Sequence, residues 1–507
     1  MLATLAAFLA LASAPAPGLV ETALARQGGP EVYEAAGGVT LEMAGQYDLS
    51  TRHQGRTHDP DIAPIREILA IDTAGHRVGY ELDWHNYAAS RQHLREIHPG
   101  GGPVLHADLR NAFAGWGGRP GEIDTAQRLR RLDPRFLLAE AARRGTRPDP
   151  QDANAALFTG ADGEELRLLF DPGTGFLAAA EHAFTMPAEG DAVMRWAWSG
   201  YRAEASGAVP ERLAVTLNGR MLKDAALSWR AGADPALFEA PEGMEFPAPP
   251  GQSAGDPASF IPYGERPARV ETIAPGVHLV RNLRPGFHVP FVEFDSFVVA
   301  IDAPTLWNEM HYLPPVSGSP GDDVHALGEK LLRAIDATAP GKPVRHLVLT
   351  HHHSDHIGGA RALIEAGADI LASRPAAEAA RRIIEAPYTR EPYPLTRTPQ
   401  IGIVDAPHTI EEGDMELRLI PLPPGNPKAE GFLVVYLPRQ RLIYATAFLY
   451  PVPESVFPLV ESVPLSAWFV DWLDGSGLAV DEVWNLHGTG RVEDWQLEYF
   501  RQLGTAD

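Results

Sequence analysis

Six consecutive residues, His351-His352-His353-Ser354-Asp355-His356, hold four imidazoles and a carboxylate. Neutral nitrogen and anionic oxygen donors suit a borderline divalent cation such as zinc, and a short rigid turn can aim several of them at one point. His351 and His353 can point one way while Asp355 and His356 point another, which makes two half-sites from one turn. The flanks are those such a turn needs. Val344 to Leu349 is an apolar run, broken only by Arg345 and His346, and reads as a buried strand; Gly358-Gly359 then leads a helical pattern over Ala360 to Ala366. A chance histidine cluster on a surface loop would require neither flank.

This stretch resembles the signature of the metallo-β-lactamase-fold hydrolases, and the resemblance covers roughly residues 269 to 507. It implies an αββα sandwich with one or two metals at the strand ends, where a metal-bound hydroxide attacks an ester, lactone, amide, thioester or phosphoester. Further segments carry the likeness. Arg269 to Val280, with Ala274-Pro275-Gly276-Val277-His278-Leu279, resembles the family's opening hairpin, and Phe294 to Ala300 with Ile301-Asp302-Ala303-Pro304 the strand and turn after it. The family's last histidine is matched by His487 in Trp484-Asn485-Leu486-His487-Gly488.

Two positions depart from the family pattern. Its third histidine precedes the strand matched here by Phe432 to Leu437; ungapped counting puts Lys428 there, and a two-residue shift puts Asn426. A protonated lysine has no lone pair to give, and an amide is a weak donor. The bridging aspartate should follow Arg441-Leu442-Ile443-Tyr444, where counting gives Ala447. The first half-site thus keeps only His351 and His353, while the second keeps Asp355, His356 and His487. Three ligands with an open fourth position are what a catalytic zinc requires. The resemblance therefore implies one ion rather than two, zinc first, with manganese or iron also fitting the donor set. Asp355 and Lys428 are the catalytic candidates, Lys428 by placing its ammonium where the other cation would sit and holding a substrate anion or oxyanion. Three readings follow: a mononuclear hydrolase, a degenerate member that binds a ligand or partner without turnover, and a redox di-iron protein. The last lacks the bridging carboxylate it would need.

Composition bounds the rest. A chain of 507 residues implies two or three domains, and 45% hydrophobic residues are ample for their cores. A formal charge of −23 argues against nucleic acid as partner, because a phosphate backbone needs a basic face. The partner implied is a small-molecule substrate. The absence of cysteine excludes disulfides, thiolate ligands and a thiol nucleophile. Met1 to Ala14 form an apolar block ending in Ala12-Ser13-Ala14, too short to span a bilayer. It reads as a signal peptide within residues 1–22 and points to a secreted or periplasmic protein, although no Lys or Arg precedes it; an ordinary N-terminal helix and a cytoplasmic protein is the other reading.

The fold class expected is α+β, with a β-rich domain over 28–245 preceding the sandwich. Alternating segments such as Val39 to Met43, Arg77 to Leu82 and Glu165 to Phe170 predict antiparallel strands. Asp162-Gly163 and Asn218-Gly219 predict hairpin turns, and Ala126 to Arg144 a helical insert. The sheet is either a curved half-barrel that holds an apolar ligand or an ordinary sheet packed on the catalytic domain. Asp83-Trp84-His85-Asn86-Tyr87 reads as a strand or turn anchored by its tryptophan. His53, His58 and His76 have no ligand spacing and read as surface residues. Prolines crowd residues 246–268, as in a semi-rigid linker. Residues 305–326, with Trp307, Met310, His311 and Tyr312, read as an extra loop near the catalytic face.

Overall fold

The computed structural model describes residues 18–87, 90–101, 104–109, 113–117, 122–161, 163–204, 207–242, 268–283, 287–305, 324–451 and 463–504. The alternating segments of the N-terminal half form a 13-stranded antiparallel sheet, with Gly38–Asp48, Ile62–Asp72 and Arg220–Ala231 adjacent near its middle. Asn218 and Gly219 both adopt left-handed backbone (φ 48° and 79°) between the strands Arg212–Leu217 and Arg220–Ala231, as a two-residue hairpin turn demands. Asp162 lies outside the described residues. The helical insert is two helices, Glu122–Arg130 and Pro134–Arg144, divided at Asp133. The Asp133 carboxylate accepts from Arg135 N, and Pro134 occupies the first turn, so the second helix has a capped start of its own.

These helices and Leu19–Gln27 pack on the sheet, burying Val20, Ala23, Leu129, Leu137 and Leu138 among strand residues. Residues 1–17 lie outside the described residues. The helix Leu19–Gln27 nevertheless begins inside the segment read as a leader, and its buried Val20 and Ala23 make it part of the folded domain. Trp84, on the strand Val78–Tyr87, is buried edge-on to Tyr47 at 5.1 Å, so that cluster is a packing anchor. Close by, Lys223 Nζ donates to Glu67 Oε2 at 2.7 Å with both side chains fully buried, and Tyr80 Oη donates to the other oxygen.

The C-terminal half is a sandwich of a seven-stranded and a six-stranded sheet. The first runs from the hairpin Arg269–Ala274/Val277–Arg281 through Val289–Glu293 to Val298–Ile301, which pairs in parallel with Val344–Leu349. The second contains Met415–Pro421, Leu433–Leu437, Leu442–Tyr444 and Glu482–Trp484. On Leu433–Leu437 the alternate residues Leu433, Val435 and Leu437 face the core between the sheets. Val434 and Tyr436 face the helices Val463–Gly475 and Asp494–Gly504. A strand apolar on both faces is what a layer covered on both sides requires. Ala326–Thr338, Ala360–Glu365 and Arg374–Glu385 cover the first sheet. The architecture is α+β, with an antiparallel N-terminal sheet before an αββα sandwich.

The proline-rich segment falls in 243–267, outside the described residues, as does most of the aromatic loop at 306–323. The two halves dock directly. The turn after Leu177–Met186 places Pro187 O to accept from Tyr388 Oη, and the Asp191 carboxylate accepts from the Thr389 and Arg390 amides at 3.0 and 3.1 Å.

Two expectations follow. Limited proteolysis within 243–267 should leave two fragments that still co-elute on gel filtration, because the docking contacts do not depend on the cut segment. Separate elution would show that the contacts are too weak to hold the halves. Lys223→Met should destabilise the chain by about 3–5 kcal/mol, since it leaves the Glu67 carboxylate buried without its cation; urea unfolding measures this.

Candidate metal centre

The turn that carries the histidines leaves the end of Val344–Leu349, and Ser354–Ile357 then forms a single helical turn. Gly358 and Gly359 are needed for close approach. A Cβ on Gly358 would lie 2.7 Å from Pro187 Cβ, and one on Gly359 would lie 2.5 Å from Pro304 O. Side chains there would push the turn off its neighbours.

Asp302, at the end of Val298–Ile301, sets the chemistry of this turn. Its backbone is left-handed (φ 61°) and its side chain is fully buried. One carboxylate oxygen accepts from Thr350 N at 2.9 Å; the other accepts from Thr350 Oγ1 and from His356 Nδ1, both at 2.9 Å. His356 therefore carries its proton on Nδ1 and presents the Nε2 lone pair, and that nitrogen is buried with no hydrogen-bond partner. Because the Thr350 hydroxyl donates to Asp302, it accepts from His351 Nδ1 at 3.1 Å, and His351 Nε2 is likewise buried and unpartnered. The sequence showed Asp302 only as part of a turn. Its one further signal was an aspartate directly after a buried strand.

Asp355 Oδ2 lies 3.7 Å from His356 Nε2 and 4.0 Å from His487 Nε2. Among the described residues, Asp355, His356 and His487 form a group whose ligand atoms all fall within 4.8 Å of one another, and all three are buried. Ligand bonds of about 2.0–2.2 Å put tetrahedral donors roughly 3.3–3.6 Å apart, so a small contraction suffices. These residues fit one divalent ion. Burial pushes the Asp355 carboxyl up, but His356, His487 and His353, with a hydrogen bond from Gln54, outweigh it and hold the group well below the usual carboxylate range. His487 follows Glu482–Trp484 and lies between the Tyr450 ring, stacked at 5.0 Å, and the Phe287 ring, edge-on at 4.8 Å. His288 fixes that loop: its Nδ1 accepts from Asn282 N, and its Nε2 donates to Gly488 O at 2.8 Å. Burial lowers its pKa to about 4, so it is a neutral packing residue.

His351 and His353 stand beside this group, with His351 ring centroids 4.1 Å from His356 and 4.6 Å from His353. Lys428 is buried with them. Its Nζ donates to Tyr450 Oη at 3.0 Å, and its charge acts on both His351 and His353. Burial lowers the lysine's pKa to about 8, with Asp355 opposing the shift. Asn426 is instead a loop residue, its Oδ1 accepting from the Lys428 and Ala429 amides. The structure thus buries Lys428 beside His351 and His353. Ala447 packs in the apolar cluster of Phe432, Phe448 and Phe469. Its neighbour Thr446 has left-handed backbone and a buried hydroxyl without partner, and Thr446 O accepts from Leu486 N, next to His487. Neither position supplies a carboxylate.

The reading of His53 and His58 as surface residues is corrected here. His53 is buried and its Nε2 donates to Glu189 at 2.7 Å; His58 is half-buried, donates to Pro375 O at 2.9 Å and packs on the His352 ring at 4.5 Å. Only a tertiary fold could bury them, because their partners lie far along the chain. His76 is exposed as expected.

Residues 319–485 match the family described as the metallo-beta-lactamase superfamily. The C-terminal half of this chain is a metallo-β-lactamase-fold domain. The match contains the histidine turn and Lys428 and ends two residues before His487. A curated relative, the 2,4-dinitroanisole O-demethylase subunit alpha of Nocardioides sp., is 27% identical over 232 residues. That match covers 45% of this chain and 56% of the relative, so the chain spans little more than half of the relative's length. Among solved structures, a metallo-beta-lactamase from Pontibacter korlensis is 19% identical, covering 48% of this chain and all of its own, with a TM-score of 0.34. The flavodiiron protein from Giardia intestinalis is 14% identical, covering 47% of this chain and 60% of its own, also at 0.34. Among the described residues no helix is long and apolar enough to cross a membrane.

Asp302→Asn tests the tautomer argument. Its amide can still accept from Thr350 N, but an amide NH2 facing His356 Nδ1 would move the imidazole proton to Nε2 and remove the ligand lone pair. The variant should keep its circular dichroism spectrum and lose bound zinc on elemental analysis. Wild-type zinc content would refute the tautomer role.

Proposed function

We propose that this chain is a degenerate member of the metallo-β-lactamase superfamily that holds one divalent ion on Asp355, His356 and His487. Beside that ion it binds a small anionic ligand on the Lys428 ammonium. The observation that carries the reading is the buried Lys428, which stands by His351 and His353, where a second cation would otherwise be held. Two cations cannot share that space in a low-dielectric interior without large repulsion. His351 and His353 then serve as neutral neighbours, their pKa values held well below the ordinary imidazole value chiefly by burial.

Zinc is the first choice for the ion, given two imidazoles and one carboxylate, with manganese or iron next. A bound ion would supply Lewis-acid polarisation of a carbonyl or phosphoryl oxygen. The chain's own residues do the rest. Asp302 fixes the His356 tautomer, Tyr450 and Phe287 fix the His487 ring, and Lys428 offers a fixed positive charge to a carboxylate, phosphate or developing oxyanion. A second reading, mononuclear hydrolysis of an ester, lactone, amide or phosphoester, is favoured by the three-donor set, which leaves one coordination position open. The leader-like block adds export to the periplasm or beyond to the proposal.

Elemental analysis after purification without chelator should give about one ion per chain, and His356→Ala or His487→Ala should abolish it. Lys428→His, which would complete a three-histidine set with His351 and His353, should raise the content towards two. A content of two in the wild type would sink the reading of Lys428. A screen of esters, lactones, lactams and phosphoesters, with aryl methyl ethers added because of the O-demethylase relative, separates the two readings. Turnover lost in His356→Ala would establish the hydrolase.

A further inference from the structure

The loop 49–61 of the N-terminal domain reaches into the metal centre. Gln54 Nε2 donates to Asp355 Oδ1 at 3.0 Å, leaving Oδ2 as the oxygen that faces His356 and His487. The carbonyl of Gly55 accepts from His353 Nε2 at 3.0 Å and from His352 Nε2 at 2.9 Å. His53 O accepts from Ser354 N at 3.3 Å, and Arg56 O accepts from Glu430 N at 2.8 Å, two residues after Lys428. One loop therefore touches both the histidine turn and the segment that carries the lysine. Gln54 is 6% exposed and belongs to no surface.

The loop's shape is held by its own hydrogen bonds as well as by the contacts it makes. Asp48 Oδ1 accepts from Ser50 N, Ser50 Oγ and Asp61 N at 2.8–2.9 Å, which ties the loop's two ends together. Asp61 Oδ2 accepts from Arg56 N at 3.1 Å, and Gln54 N donates to Leu49 O at 3.2 Å. His53 takes left-handed backbone (φ 58°) and is clamped by Glu189, which carries the loop into the other docking turn. A carboxylate ligand held at one oxygen presents the other in a fixed direction, and outer partners of this kind strongly affect metal affinity.

We infer that Gln54 is a positioning residue for the Asp355 ligand, so that the N-terminal domain is a working part of the metal centre and not a separate module. The inference rests on the reading of Asp355, His356 and His487 as a metal site. It assigns the donor that orients the only carboxylate ligand of that site to the half of the chain outside the metallo-β-lactamase-fold domain.

The test is zinc affinity of the full chain, by competition with a chromophoric chelator, for the wild type, Gln54→Ala, Gln54→Met and His356→Ala. Methionine fills the glutamine's volume without its donor, so a packing defect in the alanine variant would not repeat in it. Both Gln54 variants should bind zinc about 10- to 100-fold more weakly than wild type, while both keep a cooperative unfolding transition in the metal-free state. Wild-type zinc affinity in Gln54→Met, or a drop in metal-free melting temperature with no loss of affinity, would overturn the inference. Loss of zinc in His356→Ala alone would then leave the metal site standing without Gln54. Zinc retained in His356→Ala, or none taken up by the wild type, would overturn the site and the inference together.

Discussion

A single buried carboxylate, that of Asp302, governs the arrangement of the site. A carboxylate removed from water must be paired or fully hydrogen-bonded, because its desolvation cost is otherwise prohibitive. Asp302 meets that demand with Thr350 N, Thr350 Oγ1 and His356 Nδ1. Its own amide donates to Val348 O, which ties its turn to the neighbouring parallel strand. The left-handed backbone of a non-glycine residue is costly, on the order of 1–3 kcal/mol, and is tolerated where the surroundings over-determine it. What it achieves is directional. Through one oxygen pair, the protons of two imidazoles are drawn inward to Nδ1, and both Nε2 lone pairs face the site.

The electrostatics then separate two halves that began as equals. On one side, Asp355 stays ionised among His356, His487 and His353 and provides the anionic donor a cation needs. On the other, the Lys428 ammonium is buried beside His351 and His353. Lys428 is bonded to Tyr450, and the Tyr450 ring stacks on His487, so the lysine and the metal ligand share one support. In the reading proposed above, a lysine at this place keeps a positive charge but not an exchangeable ligand shell. An ammonium offers no Lewis-acid site at which a water could be activated, which is the physical ground for the degenerate reading proposed above.

The N-terminal sheet enters through two loops that act as one. His53 and Asn218 meet at Glu189, so the loop at 49–61 and the turn at 187–191, braced by the hairpin at 218–219, form a continuous edge against the sandwich. Burial opposes ionisation of Glu189, but hydrogen bonds from His53 and Asn218 and the charge of Arg220 outweigh it and hold the carboxyl at about pKa 2. The edge places backbone carbonyls against imidazole donors that would otherwise be buried and unsatisfied. His352, which points away from the metal group, is accounted for only by this contact.

Residue type and spacing alone pointed to the candidate metal ligands. The run His351 to His356 between an apolar strand and a glycine pair, His487 after a second strand, and Lys428 where a donor was due could all be read without coordinates, because ligands cluster at strand ends and periodicity marks the strands. The α+β class, the hairpin at Asn218-Gly219 and the packing role of Trp84 were legible for the same reason: they are local. What tertiary structure decided is what no local pattern encodes. Lys428 and Asn426 are both buried, but the Asn426 oxygen is taken by two loop amides while the Lys428 charge acts on His351 and His353, and Asp302 became the hub because its partners lie 48 and 54 residues away. Gln54 reaches Asp355 across 301 residues of chain, His53 meets Glu189 across 136 residues of its own domain, and half-buried His58 packs on His352 of the other. A hydrogen bond between residues so far apart leaves no periodicity, composition or spacing behind, so the sequence determined which atoms could hold a metal, and the fold decided which of them are aimed and by what.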